Sequence, residues 1–415
     1  MLRFASDSTT DMHINELRIA LFNYLIAKQC KEDFIIRIEN GDGQETLDIL
    51  ALFSLDYAQV VHQNQNFRFH SAMALQLLHE KKAFSCFCSP QWLNKKKKEA
   101  QEQKRDYCYD DACRNLPAEL VIDNTAPFTV RIIRPTKAII IQDQIQGEVQ
   151  FHPDSVDSFV IMHEDKTPTS EFASAVEDML SDISTVVTTK DHLLATAREI
   201  HVRNELGYDK AITYAHVAPL DVKENITVKH LLAEGYLPEA ILNYLISIGN
   251  TTPKSIFTLK EAQEWFDIKN LSSNTIAFDL QKLKEYNKEH LKLMDATELS
   301  RYVGFADAEI GELARLYIDV ASTTKELKTH IAPIFEPRVI PKEFEAQSRE
   351  LIEIIKTAPY FENYNEFQTY VMQKTQIEDT QFTYLMRLLL TNRNEGPDLA
   401  QIYKYLKNYI GEIIK

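Results

Sequence analysis

A chain of 415 residues, 44% of them hydrophobic, can bury substantial cores, and its length points to roughly two to four domains. A formal net charge of −15 argues against a protein that coats nucleic acid non-specifically, although one basic face on an acidic body is still allowed. Ten glycines are few for a chain that cradles phosphates with backbone alone, and they fit a strongly helical protein.

No apolar run is long enough to cross a bilayer, and the first six residues lack a charged-then-apolar leader. The expectation is a cytoplasmic protein without membrane or DNA partners, its five cysteines reduced. In chain order, "MLRFAS" predicts a short buried strand. "NELRIALFNYLIAKQ" places Leu17, Leu21, Tyr24 and Leu25 at helical spacing, and "DFIIRIEN" predicts a second strand. Strand, helix and strand make a βαβ unit, the start of a parallel nucleotide-type sheet. From residue 76 to about 120 the character changes to a cysteine-bearing loop, a lysine run and a polar helix. "FTVRIIRPTKAIIIQDQIQGEVQF" then supplies alternating strands, which reads as an insertion between two halves of the sheet. From about residue 211 the segments are amphipathic helices, among them "LPEAILNYLISIG" and "DLAQIYKYLKNYIGEIIK".

The stretches "HI..LR.ALFNYL", "FIIRIEN.D", "CFCSP", "DSFVIMHEDKTPT..FA", "KDHL", "YAH", "EGYLPEAILNYLISIGN" and "EWFDIKNLSS" carry a family resemblance over nearly the whole chain. In order and spacing the chain resembles the bacterial glutamyl-tRNA synthetases, which are class I aminoacyl-tRNA synthetases. The resemblance implies an α/β Rossmann core with an inserted α+β acceptor-binding domain, followed by a mostly helical stem-contact and anticodon-binding half. The implied domains are residues 1–75 and 176–210 for the two halves of the core and 76–175 for the insertion with a zinc site. By the same resemblance, residues 211–310 would form the stem-contact part and 311–415 the helical anticodon-binding-like end. The implied reaction is activation of glutamate by ATP and its transfer to tRNA.

Three sites carry that reaction in the family, and each is altered here. The opening motif keeps His13 but has Asn15 and Glu16 where the family has Gly and a small or polar residue. Two carboxylates, Asp7 and Glu16, then face the place of a polyanion. A like-charge pair at ~4 to 6 Å costs on the order of 3 kcal/mol at an effective dielectric near 20. In the amino-acid pocket Arg3 and Glu39 match family positions. Ser170 and Glu171 replace a Tyr and an Asn, and Thr188 replaces an arginine, with Lys190 two positions on. Loss of a charged partner from such a pocket weakens binding by ~2 to 5 kcal/mol. The third site, a Lys-Met-Ser-Lys-type loop that closes over ATP phosphates, has no counterpart between Tyr214-Ala215-His216 and Gly235-Tyr236-Leu237-Pro238. The intervening segment is short, and Lys223 and Lys229 are its lysines.

Cys86, Cys88, Tyr109 and Cys113 fit the family's Cys-x-Cys…Tyr-x-x-x-Cys zinc pattern, with Cys108 as an alternative ligand and reduced thiols as the plain reading. Lys95 to Lys98 read either as a solvated helix surface or as a contact to acceptor-stem phosphates. The altered motifs favour a synthetase-like protein degenerate for amino-acid activation, with His13 and Asn15 as remnants of an ATP site. Arg3, Asp7, Glu39, Ser170 and Thr188 would be remnants of the amino-acid pocket. Such a protein would bind tRNA, possibly tRNA(Glu), or a partner protein that uses charged tRNA. The alternatives are an active glutamate–tRNA ligase with atypical motifs and a binder of another small ligand in the remodelled pocket.

Overall fold

The structure, a computed structural model, describes residues 1–122, 124–223 and 226–414, the side chains at 118 and 122 excepted. The chain divides into two compact units. The first comprises Met1–Val228, Leu245–Pro253 and Phe257–Phe278; the second comprises Lys229–Tyr244, Lys254–Ile256 and Asp279–Lys415.

The first unit begins with β1 (Leu2–Asp7), α1 (Ile14–Cys30), β2 (Phe34–Asn40), α2 (Gln44–Leu52), β3 (Gln59–His62) and α3 (Phe67–His79). Then come β4 (Ala83–Cys86), α4 (Pro90–Glu102), α5 (Ala118–Ile122), β5 (Thr129–Ile132), β6 (Ile139–Asp143) and β7 (Gly147–Phe151). It continues with α6 (Pro153–Val156), β8 (Val160–Met162), α7 (Ser170–Leu180), β9 (Thr185–Thr189), α8 (Leu193–Glu205) and β10 (Thr213–Val217). The main sheet has the order β3-β2-β1-β9-β10-β6-β7. All its pairs are parallel except the β6–β7 hairpin. Five strands in the order 3-2-1-4-5, with helices between them, make a Rossmann-like core. That hairpin, read in the sequence as part of the insertion, instead extends the main sheet beside β10. A separate antiparallel sheet is formed by β4, β5 and β8.

Parallel strands covered on both faces are mostly apolar, as β2 shows with Phe34, Ile35, Ile36 and Ile38 all buried around the single buried charge of Arg37. Helix α1 is fixed to the sheet by Asn23, whose Nδ2 donates to the Val187 carbonyl at 3.1 Å. Buried Arg18 donates to the carbonyls of Ala218 at 2.9 Å and Ile248 at 3.1 Å, which ties α1 to the chain beyond β10. At Gly41, φ is +80° and an added Cβ would lie 3.1 Å from the Ser8 carbonyl oxygen, so the loop after β2 packs closely on the loop after β1.

The second unit is helical. Its helices include Leu280–Leu293, Ala296–Tyr302, Ala308–Arg315, Thr324–Ile331, Glu345–Lys356, Tyr364–Met372, Asp379–Thr391 and Leu399–Leu406. Side chains of Asp279, Asp295, Asp307, Thr323, Asn363 and Asp398 cap six of them by accepting first-turn N–H groups. The apolar stripes meet in one core around Leu313, Tyr317, Leu385, Leu389 and Ile402. No helix among the described residues is long and apolar enough to cross a membrane.

Candidate active site

In an open parallel sheet, a ligand crevice forms beyond the carboxyl ends of the strands where the strand order reverses. Here that point lies between β1 and β9. A cleft of about 310 Å³ opens there, lined by Arg3, Arg37, Glu39, Ser170, Thr188 and His192 among others. The expected pocket residues Arg3, Glu39, Ser170 and Thr188 are therefore brought together.

The cleft floor is charged and hydrogen-bonded. Arg3 grips Asp178 with two bonds, Nε to Oδ1 at 3.0 Å and Nη2 to Oδ2 at 3.1 Å. Arg37 donates Nη1 to Asp178 Oδ1 at 2.8 Å, and Nη2 to Ser174 Oγ at 2.9 Å and Glu39 Oε1 at 3.2 Å. Burial pushes the Asp178 carboxyl up, but Arg3 and Arg37 outweigh it and hold it below the usual carboxylate range. Arg37 Nε is buried with no hydrogen-bond partner. Burial and Asp178 together raise the Glu199 carboxyl, which also lines the cleft. Arg37 and Asp178 were missed in the sequence; the available signal was an arginine within an apolar strand, which must find a buried counter-charge.

At the start of α1, His13 is the N-cap. Its Nδ1 accepts the Asn15 N–H at 3.2 Å, and Glu16 accepts the His13 N–H at 2.7 Å, completing a capping box. With Nδ1 an acceptor, the proton of the neutral ring sits on Nε2, which is then a donor suited to a phosphate oxygen. Burial lowers the pKa of His13 and favours that neutral form. Asn15 pairs with the Leu220 backbone, accepting at 2.9 Å and donating at 3.3 Å. Asp7 lies outside the cleft lining; its Oδ1 accepts from the Thr9 hydroxyl at 2.8 Å and its Oδ2 from Asn40 at 3.3 Å. Residues 12–14 also receive the returning segment at 226–228: the Ile14 N–H donates to Ile226 at 3.2 Å and the Val228 N–H to Met12 at 2.9 Å. Of the segment expected to lack the lysine loop, residues 224 and 225 lie outside the described residues; Lys223 is exposed.

The replaced pocket positions have partners of their own. Glu171 pairs with Arg198 at 3.0 Å, and Thr188 Oγ1 with His192 Nδ1 at 3.0 Å. Lys190 reaches the Ser273 carbonyl at 3.4 Å and does not line the cleft.

A second cluster lies at the end of β4. The Sγ atoms of Cys86, Cys88 and Cys113 all fall within 4.8 Å of one another. The buried Tyr109 hydroxyl is 3.3 Å from both Cys86 and Cys88. Tetrahedral zinc with Zn–S near 2.3 Å needs sulfurs ~3.8 Å apart, so the donor set suits a metal. Cys108 turns instead toward Asp157, at 3.5 Å, and Arg134, at 3.3 Å. Arg131 donates to Cys86 at 3.4 Å and lies 4.0 Å above the Tyr109 ring, offsetting thiolate charge. On α4, Lys95 and Lys96 approach Glu99 at 4.0 and 3.6 Å, while Lys96 and Lys97 lie over Trp92 and Tyr107.

Residues 1–285 match the family model of the catalytic domain of class I tRNA synthetases (E and Q). The chain is 53% identical to glutamate–tRNA ligase 2 of Sulfurimonas denitrificans, with all of both chains aligned. It is 44% identical to glutamate–tRNA ligase 1 of Nitratiruptor and 41% to that of Campylobacter jejuni serotype O:23/36, again over both full chains.

The chain belongs to the bacterial glutamate–tRNA ligase family.

Its fold agrees. A crystal structure of a glutamate–tRNA ligase from Elizabethkingia meningosepticum superposes with a TM-score of 0.81 at 21% identity, covering 99% of this chain and 97% of the other. The architecture is thus that of a class I synthetase, and tRNA binding and a role in translation follow from the family. The expected degenerate state, with activation lost, is overturned by these matches: whole-length relatives at 41 to 53% identity are glutamate–tRNA ligases. The physical reason lies in how the altered residues are taken up. Glu16 is held in the capping box, Asp7 by Thr9 and Asn40, and Asn15 by Leu220, while two arginines remain in the cleft without one at position 188.

Proposed function

We propose that this chain is an active glutamate–tRNA ligase, which joins L-glutamate to tRNA(Glu) with ATP. The observation that carries the proposal is whole-length identity to such ligases together with a cleft at the strand-order reversal. The ATP phosphates would lie at the start of α1, where the positive end of the helix dipole and His13 Nε2 would meet them, the first-turn N–H groups being already bonded within the protein. Glutamate would occupy the cleft with its carboxylates toward Arg3, Arg37, Ser170 and Thr188 and its ammonium toward Glu39. Arginine is suited to carboxylates through its fixed fork of donors. Lys223 and Lys229 are the lysines of the short segment, and Lys223, exposed ahead of the stretch that returns to α1, is the candidate for phosphate-side charge.

Cys86, Cys88, Tyr109 and Cys113 would hold a structural zinc ion, which cross-links β4 to the loop carrying Tyr109 and has no step in the reaction. Lys95 to Lys98 offer a cationic, aromatic-backed face to RNA phosphates. Charging of total tRNA by the purified protein with labelled amino acids tests the proposal. Acid-precipitable glutamate, and not glutamine, is the expected product; no charging with either would reject the reading.

A further inference from the structure

Behind the cleft wall lies a buried relay that no part of the proposed chemistry has used. His216 and Asp143 are both fully buried side chains, and His216 Nδ1 lies 2.6 Å from Asp143 Oδ2. The opposite ring nitrogen, Nε2, is 2.9 Å from Thr196 Oγ1. Thr196 lies on α8, is 2% exposed and lines the cleft.

The hydrogen-bond directions follow from the donor count. Asp143 accepts the backbone N–H groups of Ile145 at 2.9 Å, Gln146 at 2.8 Å and His216 at 2.9 Å, so it is placed as a carboxylate and acceptor. Burial raises its carboxyl, but the bond from His216 and the backbone donors prevail and keep it below the usual range. Nδ1 of His216 therefore carries the ring proton. In the neutral imidazole Nε2 is a lone pair, and it accepts the one hydroxyl hydrogen of Thr196. With the ring in that Nδ1–H tautomer, the Thr196 oxygen has nothing left to donate and meets the cleft as an acceptor. Glu39 and Glu171 line the same cleft and also favour a cationic N–H donor.

We propose that Thr196, held as an acceptor by the Asp143–His216 pair, receives the α-ammonium of the substrate amino acid and sets the cleft's requirement for that group. This rests on the ligase reading and adds a specificity residue to it.

The test is binding of L-glutamate and of glutarate, which lacks the ammonium, to the intact wild-type chain and to T196V, T196A and T196S. Wild type is expected to bind glutamate at least tenfold more tightly than glutarate. T196V should weaken glutamate by about 10- to 100-fold and change glutarate by less than about two-fold, while T196S keeps both near wild type. Should T196V lose its fold, T196A is read in its place, with glutarate affinity marking an intact cleft. Equal losses for both ligands in a folded variant, or unchanged glutamate binding, would overturn the proposal. Wild type that binds no glutamate counts instead against the ligase reading, so the two failures are distinguishable.

Discussion

Asn15 and Leu220 are joined by two hydrogen bonds, in which the side-chain amide of one substitutes for a neighbouring strand's backbone to the other. The pairing places the residue that departs from the family's glycine in a structural role, closing the segment after β10 onto the first turn of α1. Asn15→Ala leaves a backbone N–H and C=O of buried Leu220 without those partners. It should cost about 1 to 3 kcal/mol in denaturant unfolding, and a loss within error of zero would remove that role.

His13 combines two tasks that a substitution can separate. Asparagine caps helices well, so His13→Asn should keep stability within about 0.5 kcal/mol. It lacks the Nε2 donor, and turnover should fall by about 100-fold. Unchanged turnover at saturating ATP would take His13 away from the phosphates.

Asp178 answers two buried arginines at once. Asp178→Asn leaves both charges underneutralised, and the expected destabilisation is about 3 to 5 kcal/mol, read from the denaturant midpoint. A smaller effect of under about 1 kcal/mol would mean that Glu39 and Glu199 already balance the floor.

Acid sensitivity should begin near neutrality. Burial holds His13, His201, His290 and His330 below their ordinary 6.5. As pH falls through about 6.5 the unfolded chain takes up these protons before the native state does, so stability declines from there downward. Asp143 and Asp178, depressed in the folded state, contribute stability above their ordinary 3.8 that is lost as pH falls further through their folded values. Unfolding midpoints measured from pH 8 to about 2 check this; a flat profile between 7 and 5 would contradict the histidine part, and no further loss below about 4 the carboxylate part.

Metal content separates the cysteines. Purified protein should carry about one zinc per chain, Cys108→Ser should retain it, and Cys113→Ser should lose it. Retention in both variants would show that the thiol cluster is not the ligand set.

The βαβ start and the helical later part were legible in the sequence because apolar spacing there has a single period in each element. The β6–β7 hairpin was misplaced because a hairpin's alternation says nothing about which sheet it joins. Arg3 and Glu39, which line the cleft, and His13, which caps α1, could be located through motif position. Thr196, His216 and Asp143 were not visible as a unit, since their partners lie 20 and 73 residues apart and only the fold sets the bond directions. Asn15, Asp7 and Glu16 look harmful to an ATP site in a linear reading, because local pairing of their side chains has no signature in spacing.

Glutamate-dependent ATP–pyrophosphate exchange, run with total tRNA present, tests the account most directly. Exchange that requires glutamate, and that falls by about 100-fold in His13→Asn while the fold persists, is the predicted result. Absence of glutamate-dependent exchange by the folded, zinc-loaded wild-type protein would contradict it.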